Sequence, residues 1–175
     1  LENHAGLDRG IENLPAQEEI EDRVTRGEGL TRPELAVLNS YMKMYLKAEL
    51  SQADYIHDDY LLPTLHSAFP EQLVKLYGDD IASHQLRPEI VATQLANSAV
   101  NFLGANFVYR MSESCGASPA EIVKASVIAR EVYQVDTLWQ QIEALDYKID
   151  ASMQNDMMIQ VVRLMRRVTR WLLRN

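Results

Sequence analysis

The sequence predicts an all-α protein of about eight helices in one irregular bundle, on three observations. Helix-start signals recur along the chain, as in GLTRPELAVL and GASPAEIV. Apolar residues return at spacings of three and four, and no run of alternating β-branched residues competes with them. At 175 residues the chain is also long enough to bury roughly 70% of its unfolded surface as one domain over 1–175.

The elements follow in order. AQEEIEDRVTR, near 16 to 27, is a short charged helix ending at Gly27 and Gly29. The next helix starts at Thr31, where Thr31 and Glu34 make a capping box and Leu30 and Leu35 are placed as a hydrophobic staple. It runs to about Leu50 with Leu35, Leu38, Met42, Tyr45 and Leu46 as its buried stripe. In DYIHDDYLLPTLHSAF, Pro63 must kink or break the chain, leaving two short pieces or one bent helix. Pro70 opens a helix that Gly78 weakens. The longest apolar helix spans 88–113, and its near-continuous apolar surface makes it the expected centre of the core. Gly116 suits its C-cap, Ser118 and Glu121 form a second capping box with Pro119 at the first helical position, and Asp136 is placed to cap DTLWQQIEALDYKI. The last helix, from about Ser152, repeats Met158, Val161, Met165, Val168 and Leu172, a narrow seam for one partner.

Composition excludes several classes of function. The formal net charge is −8, which does not suit nucleic acid as a whole. The exception is the tail, where residues 151–175 hold five arginines against the lone Asp156. One cysteine allows no internal disulfide, and a cytoplasmic location is expected. The most apolar stretch, AVNFLGANFVY, is interrupted by Asn101 and Asn106, so no membrane span is expected. The chain opens on Leu1 without a leader-like stretch and reads as a piece of a longer protein, with 1–30 a loosely packed lead-in.

Few residues offer chemistry. Seven glycines form neither GxGxxG nor GxxxxGK[ST], and GEG at 27–29 follows a helix instead of a strand. A helix would stack Asp54, His57 and Asp58, but acids in a first turn need no metal to explain them, and no metal site is expected. His66 and His84 read as ordinary polar residues, and Cys115 as a free thiol at a helix end. Gln94, Asn97 and Asn101 share a face of the apolar helix and are expected to form a buried polar network in preference to lining a pocket. Arg163, Arg166, Arg167, Arg170 and Arg174 are expected to make an interaction face. Acidic protein surface is favoured over nucleic acid as its partner.

Set side by side, GLTRPELAVL, DDYLLPTLHSAFPEQL, LRPEIVATQLANSAVNFLGANFVYRMSESCGAS, AREVYQVDTLWQQIEALD and RRVTRWLLRN resemble the C-terminal helical region of the large bacterial NAD-dependent glutamate dehydrogenases. The resemblance runs from near residue 5 to residue 175 and lies in the order of long segments more than in any short motif. It implies a parent enzyme that deaminates L-glutamate oxidatively with NAD, giving 2-oxoglutarate, ammonium and NADH. It also implies that the catalytic and dinucleotide-binding domains precede this region, and that family chains continue beyond RWLLRN. None of the family's substrate lysines or cofactor glycines maps here, so the segment carries no catalytic or cofactor residue and is expected to be inactive alone, binding no NAD. Its partners would be the catalytic domain of the same chain and other subunits of an oligomer. The rival expectation is a free-standing helical module binding protein or nucleic acid.

Overall fold

The computed structural model describes residues 1–175. It contains ten α-helices and no strand: α1 (Glu2–Ala5), α2 (Gln17–Thr25), α3 (Arg32–Ser51), α4 (Leu62–His66), α5 (Glu71–Ala82), α6 (Arg87–Leu103), α7 (Phe107–Cys115), α8 (Pro119–Val132), α9 (Val135–Glu143) and α10 (Ala151–Leu172). Two 3₁₀ turns, Asp54–His57 and Asp59–Leu61, precede α4. The helices gather into two compact units, Leu1–Ala96 and Asn97–Asn175, with α6 running through the boundary. No helix is long and apolar enough to cross a membrane.

In the first unit, α3 begins as its residues dictate. Thr31 Oγ1 accepts the Glu34 N–H at 3.5 Å, and the Thr31 N–H donates to the Glu34 carboxylate at 2.6 Å. The same carboxylate takes two bonds from the Arg23 guanidinium, at 2.9 and 3.1 Å, so Glu34 ties α2 to the start of α3. Met42, Leu46 and Leu50 form the buried edge of α3. Leu35, expected in that stripe, is instead 46% exposed, because it stands one turn before the helix reaches cover. The lead-in over 1–30 is anchored by a Tyr41 hydroxyl bond to Glu12 at 2.7 Å and by the packing of α1 on α3.

Three carboxylates at helix starts make stability acid-sensitive. The Thr31 N–H, then Arg23, holds Glu34 below its usual range; the Ser118 N–H, then its hydroxyl, does so for Glu121; the Ser152 hydroxyl, then its N–H, does so for Asp150. A depressed carboxyl pKa contributes stability that is present above the unfolded value, about 4, and lost as pH falls through the folded one. The melting temperature should therefore fall between about pH 6 and about pH 3. Glu34→Gln should flatten that fall, since Gln keeps the box but does not titrate. Thr31→Ala should cost about 1 kcal/mol across this range. An equally steep acid limb in Glu34→Gln would count against the assignment.

The segment is two short pieces and not one helix: two 3₁₀ turns lead into the short α4, in whose first turn Pro63 stands, and Ile56, Leu61 and Leu65 are buried. Within α5 the irregular residue is Tyr77, at φ −132° and ψ 27°, beside the Gly78 that was expected to weaken it.

The second unit corrects two expectations. The single helix over 88–113 is two helices, because Gly104, at φ 93°, turns the chain before α7 restarts with Phe107, Val108 and Met111 buried. Gly104→Ala would place a side chain in a conformation costing about 1–3 kcal/mol. Chemical denaturation should show that loss, and a neutral result would sink the turn assignment. Asp136 does not cap α9. Gln134, at φ 47°, occupies the N-cap without a side-chain bond, and Asp136 is drawn to Arg130. The remaining signals hold, with Gly116 in the left-handed C-cap at φ 69° and the Ser118–Glu121 box closed. Asp150 caps α10, accepting the Ser152 N–H at 2.8 Å.

The last helix packs most extensively on α8. Its buried edge is Val161, Met165 and Thr169, while α8 buries Ile122, Val123, Ala125, Ser126 and Ala129. Small residues on α8 let the two backbones approach. The two buried hydroxyls bond within their own helices, Ser126 to the Val123 carbonyl at 2.7 Å and Thr169 to the Met165 carbonyl at 2.8 Å. No orphaned hydroxyl burdens that interface.

Candidate interaction face of the last helix

The five arginines of α10 do not act as one stripe. Arg163, Arg167 and Arg170 are exposed, and no carboxylate of the chain lies within ion-pair distance of them. Arg166 and Arg174 turn onto neighbouring backbone. Arg166 Nη2 donates to the Leu103 carbonyl at 2.6 Å and Arg174 Nη2 to the Ser114 carbonyl at 3.2 Å. These acceptors belong to the last turns of α6 and α7, where carbonyls lack intrahelical partners and the helix dipole favours a cation. Gly104 sits alongside: a Cβ there would lie 3.5 Å from Arg166 Nη2.

Beside the exposed arginines, α8 and α10 leave a groove of about 280 Å³. Ile128, Val132 and Tyr133 line it from α8 and its C-cap, and Val168, Trp171 and Leu172 from α10, with Arg167 at the rim. Val132 is 69% and Trp171 62% exposed, so water meets a continuous apolar surface here. Sequence periodicity places Val168 and Leu172 in the α10 seam, and both are half-buried at the groove.

A second cluster was not visible in the sequence. The Arg130 guanidinium binds Asp136, with Nε–Oδ1 at 2.7 Å, donates to the Ser98 hydroxyl, and lies 5.5 Å over the Phe102 ring. Phe102 in turn meets Trp139 at 4.7 Å between ring centroids, tilted by 58°, and Trp139 Nε1 donates to Glu143 at 2.9 Å. This clamp joins α6, α8 and α9 through a cation over an aromatic face. Arg130 and Asp136 flank the turn between α8 and α9, and that spacing was the one available signal.

The remaining candidates are dispersed. Asn101 is exposed and Gln94 and Asn97 are half-buried, and no side-chain hydrogen bond joins them. The buried network expected of them is absent because α6 buries Val91, Leu95, Ala99 and Leu103, which leaves the three amides on its opposite face. Asp54, His57 and Asp58 lie in and beside a 3₁₀ turn, so helical stacking does not apply to them, and no three His, Cys, Asp or Glu residues converge as metal ligands. Cys115 is half-buried with its Sγ 3.5 Å from the Ser114 hydroxyl. His66 is half-buried and His84 exposed, with its Nδ1 accepting the Leu86 N–H at 3.0 Å.

Comparison with known proteins decides the lineage. The family profile described as glutamate dehydrogenase, C-terminal, matches residues 27–175. The chain belongs to this glutamate dehydrogenase C-terminal family. Among similar proteins, the NAD-specific glutamate dehydrogenase of Pseudomonas aeruginosa is 45% identical over all 175 residues, and that of Halomonas elongata 44% identical over 174. The NAD-specific glutamate dehydrogenase of Mycobacterium tuberculosis is 35% identical over 168 residues, 96% of the chain. The chain spans 10–11% of the length of these relatives. The matches to these relatives cover 96–100% of the chain, while most of each relative lies outside the match.

Proposed function

We propose that the chain is the non-catalytic C-terminal helical region of an NAD-dependent glutamate dehydrogenase, acting by contact with the catalytic part or with other subunits. The parent would oxidise L-glutamate to 2-oxoglutarate and ammonium with NAD in the cytoplasm, the dinucleotide being bound elsewhere in the polypeptide. The observation that carries this reading is the α10 surface: Arg163, Arg167 and Arg170 exposed without carboxylate partners, beside an apolar groove. Such a surface is suited to a contact, and the phosphate-cradling glycine loops needed for NAD have no counterpart in the chain.

The test is charge reversal in the full-length enzyme. Replacing Arg163, Arg167 and Arg170 together by Glu, at exposed positions, should leave this region's helicity intact while lowering the glutamate-dependent rate of NADH formation or changing the sedimenting assembly. An unchanged rate and an unchanged assembly would overturn the contact role. Calorimetry of the 175-residue chain with NAD and with glutamate should show no binding heat. Salt-dependent retention on heparin, abolished by the same reversal, would favour the nucleic-acid module instead.

A further inference from the structure

We infer that the α8/α10 groove docks an acidic amphipathic helix supplied by the part of the same polypeptide that lies outside these 175 residues. The inference rests on the reading of this chain as one region of a glutamate dehydrogenase.

The apolar side of the match is set by the groove itself. Val132 and Trp171 are the most exposed of its large apolar residues, with Tyr133 and Ile128 beside them. Two helices flanking a trough receive a third through apolar side chains spaced three and four apart. Trp and Tyr anchors next to Arg form the residue mix in which binding energy concentrates.

Charge fixes the chemistry of the occupant. The chain carries 25 acidic against 17 Lys and Arg residues, yet Arg163, Arg167 and Arg170 find no carboxylate within reach. Helical spacing places the three on one side of α10, and Arg167 among them lines the groove. An occupant with Asp or Glu along the flank facing that rim would satisfy them, and a basic one would be repelled.

Size fixes its source. The groove, about 280 Å³ and lined by eight residues, takes only a few side chains of an occupant. A surface this small is filled effectively by a tethered segment, whose effective concentration reaches the millimolar order. About nine-tenths of each relative's length lies outside the match, which provides ample tethered chain.

Photo-crosslinking in the full-length enzyme tests this. p-Benzoylphenylalanine placed at the exposed Val132 should crosslink to a peptide outside these 175 residues whose apolar positions are flanked by carboxylates. Arg167→Glu should cut the yield several-fold, and Arg167→Lys should retain most of it. Circular dichroism of each variant establishes that the helices persist. A crosslink to a second copy of these 175 residues, to a basic segment, or to nothing overturns the docking inference. The crosslink could fail while the triple Arg reversal still alters rate or assembly. The contact role would then stand and this occupant alone would be wrong.

Discussion

Met165→Ala is expected to destabilise the chain by about 2–5 kcal/mol, the range for removing a buried large aliphatic side chain and leaving a cavity. Met165 is 1% exposed at the middle of the α10 edge that meets α8, between Val161 and Thr169. The α8 face that packs on α10 buries Ala125, Ser126 and Ala129 together with Ile122 and Val123. How far Ile122 and Val123 shift into the vacated space sets where in this range the cost falls. The same helix supplies its own control in Met153, which is 57% exposed, so that Met153→Ala should change stability by less than about 0.5 kcal/mol. Urea titration followed by circular dichroism reads both variants. Similar midpoints for the two would mean that the buried edge of α10 had been assigned to the wrong residues.

Legibility followed the range of the interactions involved. Thr31–Glu34 and Ser118–Glu121 could be read directly because both partners of each box lie within one turn of helix. Of the α10 seam, Val161 and Met165 were legible because three-four periodicity needs no knowledge of the partner. Met158, Val168 and Leu172 are half-buried, and the buried Thr169 was missed because its hydroxyl hides it from an apolar pattern. Gly104 was harder: a glycine within a helix costs about 1 kcal/mol, which a long apolar run can absorb, and only the demand that α7 turn away makes it a break. Gln134 escaped for a related reason, since nothing in the residue type announces a φ of 47°.

The arginines show the limit most clearly. Sequence placed five of them on one helix face, yet the carbonyls that hold Arg166 and Arg174 lie 63 and 60 residues away along the chain. Orphan carbonyls at helix ends are present in every helical protein, so their pairing with a given guanidinium becomes visible only in three dimensions. What survives as a candidate contact is the outward subset, Arg163, Arg167 and Arg170, and the groove beside it.

Arg87 is the second position where a large effect is expected, for reasons opposite to those at Met165. Its side chain is only 15% exposed, and its guanidinium gathers acceptors from separate places: the Ala82 carbonyl at 3.3 Å, the His57 and Asp58 carbonyls at 3.0 and 3.2 Å, and the Asp59 carboxylate at 3.1 Å. It thereby fastens the end of α5 and both 3₁₀ turns to the first residue of α6. Asp59 contributes little, since its own side chain is 84% exposed and the pair is screened. The carbonyl bonds dominate because a charged donor strengthens them, and the Asp58 carbonyl also accepts the Leu61 N–H at 3.0 Å. Arg87→Ala should cost about 2–4 kcal/mol on that basis. Arg87→Lys should recover less than half of the loss, because an ammonium is a point charge on a flexible stem and cannot span acceptors that a planar fork reaches together. Full recovery with Lys would show that charge alone matters at this corner, and the fork argument would be wrong. Arg87→Met separates the remaining contribution, since it keeps the packing of the stem while removing every donor. Its stability should fall near that of Ala if the carbonyl bonds carry the effect, and near that of wild type if the buried stem does.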